Sequence, residues 1–565
     1  MTMRVLFFSA IAFLSSAVAA QNATTAGEVT VPFPTAHGIS IEWAISGDAN
    51  LNGEVAVRYR QTAGAWRQGM PLRRVPAGSN GSFSWANRHS GSLFDVLPDT
   101  EYEVELSLSD PDGGSAQRLL TVRSRAIPGL PGNPVFKEVT PATLSSVIAG
   151  ANPGDILRFA VGSYPGFTLE RSGSVQAPIV LRGQPGVVIN GELALFFRAD
   201  VIIEDMQVNG RIRFNGSNRI SVRRCLINAS PTLFDGHGIV SFLRSENAYI
   251  VDNTVIGTTA WVESAMDNSG ANRGEGIVVT GPGHVIAHNR VRGFHDDISL
   301  LEDGEAVDQF SIDIFGNELS EGADDAIEAD FCFHNCRVQR NRVSNAFVAF
   351  SSQPSLGGPT YFVRNVAYNV AHVAFKLYRS SVGDVLLHNT VVKAGDGFSN
   401  YAGVPVARLF TRNNLFLGGP GGVVNGVSNG SGRVIEAAGV VLAGSSLNYN
   451  AYGSTVGTFT GHLGPTAFNS LAQLRALTSE TQSVQIDLNS FASAPAFPSN
   501  PLTQFGPQDL RLSVSSAAID AGTPLAAIND DFLGGAPDAG AYEASRPLPI
   551  YGPRSDVLFA DGFDS

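Results

Sequence analysis

A short apolar segment with a central asparagine recurs along the second half of the chain. The pattern is apolar-x-x-Asn-x-apolar, and its seven copies are centred on Asn253, Asn289, Asn317, Asn341, Asn365, Asn389 and Asn413. Their spacings are 36, 28, 24, 24, 24 and 24 residues. A fixed period of roughly 20–50 residues indicates a solenoid, because each unit buries its apolar face only against its neighbours.

The composition of the repeat favours strands over helices. The copies are rich in Val and Ile, and the whole chain holds 61 Gly and 30 Pro, which favour turns and interrupt helices. We therefore predict an all-β parallel β-helix, in which successive coils stack about 4.8 Å apart. The repeated asparagines are predicted to form a ladder of side-chain amides at one turn.

The N-terminal part has a different pattern. Short alternating runs such as Ser40–Trp43 and Val55–Tyr59 predict a small β-sandwich over residues 28–127. The segment Leu97–Val104 resembles the tyrosine corner of fibronectin type III-like domains, and Trp43 is placed like their core tryptophan. A Pro/Gly-rich linker is expected at 128–135, the β-helix at 136–545 and a C-terminal tail at 546–565.

The first twenty residues have the pattern of a signal peptide. Arg4 precedes the apolar run Val5–Leu14, and small residues precede Gln21. We expect a secreted or periplasmic protein with no membrane span, and a monomer. The net charge of −13 argues against nucleic-acid binding.

The three cysteines allow two interpretations. Cys332 and Cys336 are close enough to pair, or with His334 between them could hold a metal. Cys225 is expected to be a buried thiol in the core.

Aligning the coils predicts a patch of acidic side chains. The inward residues of one strand align as Ile239, Ile277, Ile298, Ile327, Phe350, Phe375 and Phe398. Because strand side chains alternate between faces, the residues beside them point outward. Two coils then bring together Asp296, Asp297, Asp324, Asp325, Glu328 and Asp330. Such like charges repel unless a hard cation neutralises them, so we predict a Ca²⁺ site formed by Asp297, Asp324, Asp325 and Glu328.

Lys376 falls in the same outward column as Glu328, two coils further on. The motif Asp324-Asp325-x-x-Glu328, an Asp one coil earlier, and Phe375-Lys376-Leu377 resemble the family 9 polysaccharide lyases, which are right-handed parallel β-helices. The resemblance implies that the acidic cluster binds Ca²⁺ and that Lys376 is the base. The sequence departs from the family in having Glu328 in place of Asp, an extra coil before the lysine, and Tyr378-Arg379 after Leu377.

The resemblance implies β-elimination from a uronate-containing polysaccharide. Arg364 and Arg379 would then bind the acidic substrate, and Tyr378 and Tyr401 could stack on its sugar rings. Two other activities stay open on the same fold: hydrolysis, suggested by Asp235-Gly236-His237-Gly238, and epimerisation, which shares the proton abstraction. A non-catalytic, carbohydrate-binding β-helix is the alternative of a different class. His295 and His372 flank the patch, either as turn residues or as proton-transfer groups.

Overall fold

The computed structural model describes residues 21–400 and 403–554. This part of the chain is all-β, with long parallel sheets that are consistent with a parallel β-helix. The predicted signal peptide, Tyr401 and the end of the predicted tail lie outside the described residues.

The N-terminal region forms a mostly antiparallel set of strands. They span Thr25–Thr30, Gly38–Ser46, Glu54–Gln61, Arg67–Val75, Gly78–Asn80, Phe83–Trp85, Arg88–Phe94, Glu101–Ser109 and Ser115–Arg123. Trp43 is fully buried in their core, as predicted. The backbone N–H of Leu97 donates to the hydroxyl of Tyr102 at 2.8 Å, which fixes the start of the strand Glu101–Ser109.

The coils of the second region contribute strands to three faces. The strands of the first face are Val135–Val139, Asp155–Phe159, Ile179–Gly183, Ala199–Glu204, Asn218–Arg223, Tyr249–Val251, Val285–Ala287, Asp313–Phe315, Cys336–Gln339, Leu356–Val363, Val382–Leu387, Val406–Ala407, Phe410–Arg412, Val440–Val441 and Ser446–Asn448. They pair in parallel, each with the strand of the next coil.

The second and third faces form one continuous parallel sheet. The strands of the second face are Gly162–Thr168, Val187–Ala194, Gln207–Arg213, Leu226–Asn228, Thr254–Ile256, Arg290–Arg292, Glu318–Ser320, Arg342–Ala346, Val366–Val370, Thr390–Val392, Leu415–Gly418, Ala451–Ser454 and Val484–Gln485. The strands of the third face are Ile239–Val240, Glu275–Val279, Asp296–Leu300, Asp325–Glu328, Val348–Ser352 and Phe375–Leu377.

Shorter elements lie at the ends and in the loops. A four-stranded sheet comprises Phe398–Ser399, Ile435–Ala437, Gly461–Leu463 and Thr466–Phe468, and a hairpin comprises Val423–Val424 and Val427–Ser428. The α-helices are Leu144–Ala149 and Leu471–Leu477, and the 3₁₀ turns are Phe234–Gly236, Glu263–Ala265, Asp303–Glu305 and Leu488–Ser490. Leu144 and Ile148 pack on the core of the first coils, so the helix Leu144–Ala149 covers that end of the solenoid. Every helix in the described ranges is too short or too polar to pass through a lipid bilayer.

The asparagine ladder is confirmed, with one correction. The Nδ2 group of each ladder residue donates to Oδ1 of the next at 2.8–3.1 Å, through Asn253, Asn289, Asn317, Asn341, Asn365, Asn389, Asn414 and Asn450. Asn414, not the predicted Asn413, continues the ladder. The residue before each ladder position has a positive φ, and Asn413 takes that place at φ 59°. Asparagine tolerates this conformation better than most residues, so both asparagines of the pair have a structural role.

The N-terminal sandwich packs on the first face through buried polar contacts. Asp313, Arg337 and Tyr361 are neighbours in one column of that face. The fully buried Arg337 pairs with Asp313 and donates to the hydroxyls of Ser40 and Ser92 at 2.9 and 3.0 Å. Since burying an unpaired guanidinium is costly, these contacts fix the sandwich to the solenoid.

The C-terminal segment covers the second face. Leu510, Ala539 and Tyr542 join an apolar cluster with Tyr368 and Leu417 of that face. The first and second faces are therefore both covered by other parts of the chain. A polar cleft is lined instead by residues of the third face and its loops.

The cysteines follow one of the two interpretations. Cys332 and Cys336 form a disulfide, and His334 between them lies 3.1 Å from Glu42 of the sandwich. Cys225 is buried at the position that precedes the asparagine ladder, where its backbone N–H donates to Asn253 Oδ1 at 3.0 Å.

Candidate active site

A cleft of about 540 Å³ opens on the third face. It is lined by side chains from strands of four consecutive coils, including Asp296, Ser299, Glu328 and Lys376. Asp324 precedes one of these strands and also lines the cleft. A concave site with several convergent polar groups is the usual form of a ligand-binding site.

The predicted register of these strands is confirmed. Ile298 pairs with Ile327, Ile327 with Phe350, and Phe350 with Phe375. The neighbouring outward column therefore runs through Ser299, Glu328, Ser351 and Lys376, one residue from each successive coil. Glu328 and Lys376 share a face and are separated by two strand spacings, about 9–10 Å along the axis.

One group of carboxylates comprises Asp296, Asp324 and Asp325. One carboxylate oxygen of each lies within 4.8 Å of the others, and all three residues are buried. The backbone N–H of Asp325 donates to Asp296 Oδ1 at 2.7 Å, which fixes two neighbouring coils relative to each other. Burial, reinforced by the nearby carboxylates, raises the pKa of Asp296 well above its usual range.

Lys376 forms an ion pair with this group. Its ammonium donates to Asp325 Oδ2, while Asp325 Oδ1 is buried without a hydrogen-bond partner. Burial alone would lower the pKa of Lys376, but Asp325, Asp324 and Asp330 outweigh it and raise that pKa well above its usual value. Burial raises the pKa of Asp325, and Lys376 opposes this effect.

A second group comprises Glu302, Glu328 and Asp330. One carboxylate oxygen of each again lies within 4.8 Å of the others. The Ser299 hydroxyl donates to Glu328 Oε2 at 2.8 Å, and burial together with Asp296 and Asp330 raises the pKa of Glu328 well above its usual range. Burial also raises the pKa of Asp330, to about 6.

A third group joins Glu275 and His295 to Asp296. His295 Nε2 lies 3.6 Å from Asp296 Oδ2 and 3.9 Å from Asp324 Oδ2. Burial lowers the pKa of His295, against the raising effect of Asp324. Burial raises the pKa of Glu275 to about 8, and the backbone N–H of Glu275 donates to Nδ1 of His237 at 2.9 Å.

Two of the predicted site residues lie elsewhere. The structure brings Asp296, rather than Asp297, into the carboxylate group. Asp297 is fully buried, and burial together with the nearby Glu321 raises its pKa. Arg364 lies in the turn between the first and second faces, one residue before the ladder, and pairs with Asp531 at 3.1 Å. Substrate binding by Arg364 in this cleft is therefore not supported.

Tyr378 and Arg379 do line the cleft, as predicted. The Tyr378 hydroxyl lies 3.5 Å from Nε2 of His372, and burial raises the pKa of Tyr378. Arg379 donates to Asp303 at 3.0 Å and is close to half exposed at the rim. His372 also lines the cleft, where burial lowers its pKa to about 4.

Glu302 is the site residue that the alignment of coils missed. It follows the strand Asp296–Leu300 in a loop, where the alternation used for the alignment no longer applies. The acidic run Glu302-Asp303-Gly304-Glu305 directly after an aligned strand was the available signal.

The residues present fit a calcium ion. Ca²⁺ takes about six to eight oxygen ligands, and the group Asp296, Asp324 and Asp325 offers carboxylate oxygens with no sulfur. The unpartnered Asp325 Oδ1 is a buried acceptor of the kind that a cation satisfies.

Comparison with known proteins yields no match: no family model, no curated protein and no solved structure is significantly similar to this chain.

Proposed function

We propose that this protein is a secreted polysaccharide lyase that cleaves a uronate-containing polysaccharide by Ca²⁺-assisted β-elimination. The observation that carries the proposal is the buried ion pair between Asp325 and Lys376, a lysine that lines an acidic cleft. A β-helix that only binds carbohydrate has no need of a buried lysine facing carboxylates, because burying charges in this way is costly.

Asp296, Asp324 and Asp325 are the residues that would hold the ion, with Glu328 next to them. A bound Ca²⁺ would supply positive charge that stabilises the enolate-like transition state on the uronate carboxylate. The same charge would oppose the effect of the carboxylates that raise the pKa of Lys376.

Lys376 is the proposed base. Its neutral amine would take the proton from the carbon next to the uronate carboxylate. The electron pair of that C–H bond then forms the ring double bond, and the bond to the glycosidic oxygen on the next carbon breaks. The leaving oxygen takes up a proton to give the new chain end, so no external oxidant or reductant is needed.

Arg379 and Tyr378 are the proposed substrate contacts. Arg379 lies at the rim, where it could pair with a substrate carboxylate in exchange for Asp303. Tyr378 extends from the strand that carries Lys376, which places an aromatic ring beside the base. The net charge of −13 would repel a polyanion, so these local groups must provide the attraction.

The proposal extends to the fold family and the compartment. The long parallel sheets are compatible with the right-handed β-helix of family 9 polysaccharide lyases, and the Tyr102–Leu97 hydrogen bond is compatible with a fibronectin type III-like sandwich. The Cys332–Cys336 disulfide supports an oxidising compartment, in agreement with the signal-like sequence of residues 1–20.

Hydrolysis is the second candidate. Glu302, Glu328 and Asp330 include carboxyls with raised pKa values, which is the property of a general acid in glycoside hydrolases. Epimerisation would use the same base but leave the polysaccharide chain intact.

One assay separates these activities. The protein is incubated with a panel of polyuronates, with Ca²⁺ and with EDTA, and the ultraviolet absorbance of unsaturated uronate products is followed. A Ca²⁺-dependent rise supports the lyase. Reducing ends without that absorbance indicate a hydrolase, and a change in the uronate composition of intact chains indicates an epimerase. If none of these three changes occurs with any polyuronate, the proposal is contradicted.

A further inference from the structure

We propose that the cleft holds a second divalent-cation site, formed by Glu302, Glu328 and Asp330. This site is separate from the group Asp296, Asp324 and Asp325, to which the proposed function assigns its ion. The inference concerns the same cleft, but it does not require that the protein be a lyase.

The three carboxylates converge from two segments of the chain. Glu328 ends the strand Asp325–Glu328 and Asp330 follows it by two residues, whereas Glu302 comes from the loop after Asp296–Leu300. One oxygen of each lies within 4.8 Å of the others, which is a separation that a single Ca²⁺ can bridge, since each Ca²⁺–oxygen distance is about 2.3–2.6 Å.

Asp330 provides the observation that points to a ligand. The residue is fully buried, and its Oδ1 accepts from the Ser351 hydroxyl at 2.6 Å and from the backbone N–H of Gln353 at 2.8 Å. Its Oδ2 is also buried but has no hydrogen-bond partner. Two donors thus fix the carboxylate and leave one oxygen to be satisfied by something else.

Side chains in the described ranges supply only part of the positive charge that three carboxylates require, because the one ammonium whose charge acts on Asp330, that of Lys376, makes its hydrogen bond to another carboxylate. Lys376 pairs with Asp325, and Arg379 makes its short contact with Asp303 at 3.0 Å. Arg379 comes only within 4.0 Å of Glu302, and neither Glu328 nor Asp330 has an ion pair within the described residues. Glu328 is instead held by the Ser299 hydroxyl. Three clustered carboxylates with so little positive charge nearby repel one another, and a hard cation bound between them would stabilise the cluster.

The test counts bound ions without substrate. Ca²⁺ bound per chain is measured by equilibrium dialysis and metal analysis for the wild type, Asp330→Asn, Asp324→Asn and the double variant. Asp330→Asn keeps the oxygen that Ser351 and Gln353 contact, so the fold should be retained. Glu305→Gln, in the exposed turn beside Glu302, is the matched control.

We expect each single variant to bind one ion fewer than the wild type, the double variant two fewer, and Glu305→Gln the same number. If Asp330→Asn binds as many ions as the wild type, the second site does not exist. If the double variant loses only one ion, the two carboxylate groups share a single site and the inference is also wrong. Because no substrate is used, a failure of the lyase assay leaves this result unaffected, and a missing second ion leaves the lyase proposal standing.

Discussion

The ammonium of Lys376 donates to the carboxylate of Asp325, a residue 51 positions earlier in the sequence. Stacking of the coils brings the two side chains together, because the strands that carry them are separated by the single strand Val348–Ser352. Both residues are buried, and Lys376 lines the cleft while Asp325 lies behind it. The proposed base is therefore held in place by the same group that would bind the cation.

Replacing Lys376 by Ala should abolish formation of unsaturated products, with a loss of at least about 10²–10⁴-fold, the usual contribution of a general base. The change also leaves Asp325 buried without its partner, which costs about 3–5 kcal/mol of stability for a pair of this kind. Circular dichroism and thermal unfolding must therefore accompany the assay. Lys137→Ala removes a partly exposed lysine that pairs with Asp155 in the first coil, and it should keep full activity. Activity in a folded Lys376→Ala variant would exclude this residue as the base.

Calcium should stabilise the protein, and the effect should grow with pH. Glu275 and Asp330 have pKa values raised to about 8 and about 6, mainly by burial. In EDTA, the raised pKa values mean that these carboxyls contribute to the stability of the folded state at low pH, where they are protonated. This contribution is lost as the pH rises through their pKa values in the folded protein. A bound cation replaces the protons and gains affinity over the same range.

Thermal unfolding at pH 5 and pH 8, with Ca²⁺ and with EDTA, measures this difference. Ca²⁺ at a hundredfold excess over its dissociation constant adds about 2.7 kcal/mol. A stabilisation by Ca²⁺ that is larger at pH 5 than at pH 8 would contradict the prediction.

Breaking the buried asparagine ladder should destabilise the solenoid. Asn341→Ala removes a side-chain amide that donates to the carbonyl of Ile314 and to Oδ1 of Asn365. It also removes the oxygen that accepts from the backbone and side-chain N–H groups of Asn317. Each buried group left unsatisfied costs about 1–3 kcal/mol. The free energy of unfolding in urea should fall accordingly.

The chain offers a matched control for this change. Asn190, Asn209 and Asn228 form a similar ladder on the exposed surface, with bonds of 3.1 Å. Asn209→Ala should alter stability by no more than about 0.5 kcal/mol, because water replaces the lost partners. Equal losses of unfolding free energy in the two variants would mean that burial does not determine how much the ladder contributes to stability.

The sandwich hairpin Gly78–Asn80/Phe83–Trp85 should influence substrate binding. The side-chain amide of Asn80 donates to the carbonyl of Arg379 at 2.7 Å, and the ring of Phe83 lies 5.3 Å from that of Phe331, next to Asp330. We expect Asn80→Ala combined with Phe83→Ala to raise KM severalfold with little effect on kcat, because the contacts hold the rim and not the base. Phe136→Ala, an exposed aromatic residue in the first coil, should change neither value. A fall in kcat at unchanged KM would contradict this expectation.

The sequence by itself determined the repetitive part of the structure. The spacing of the asparagines predicted the parallel coils, since a ladder requires equivalent positions in successive turns. The strict alternation of strand side chains then placed Glu328 and Lys376 in one column. Both inferences depend on regular geometry that repeats along the solenoid, so local patterns were sufficient.

Only the tertiary structure decided between neighbouring residues at the ends of strands. Asn413 fits the sequence repeat better than Asn414, which has Thr411 in place of the first apolar residue. The structure nevertheless places Asn414 in the ladder and Asn413 at the positive φ before it. Asp296 and Asp297 likewise stand together where a strand begins, and only Asp296 joins the carboxylate group. Glu302 and Arg364 lie in loops and turns, whose paths follow from contacts between coils and with other parts of the chain. Alternation carries no information there, and the sequence could not place these side chains.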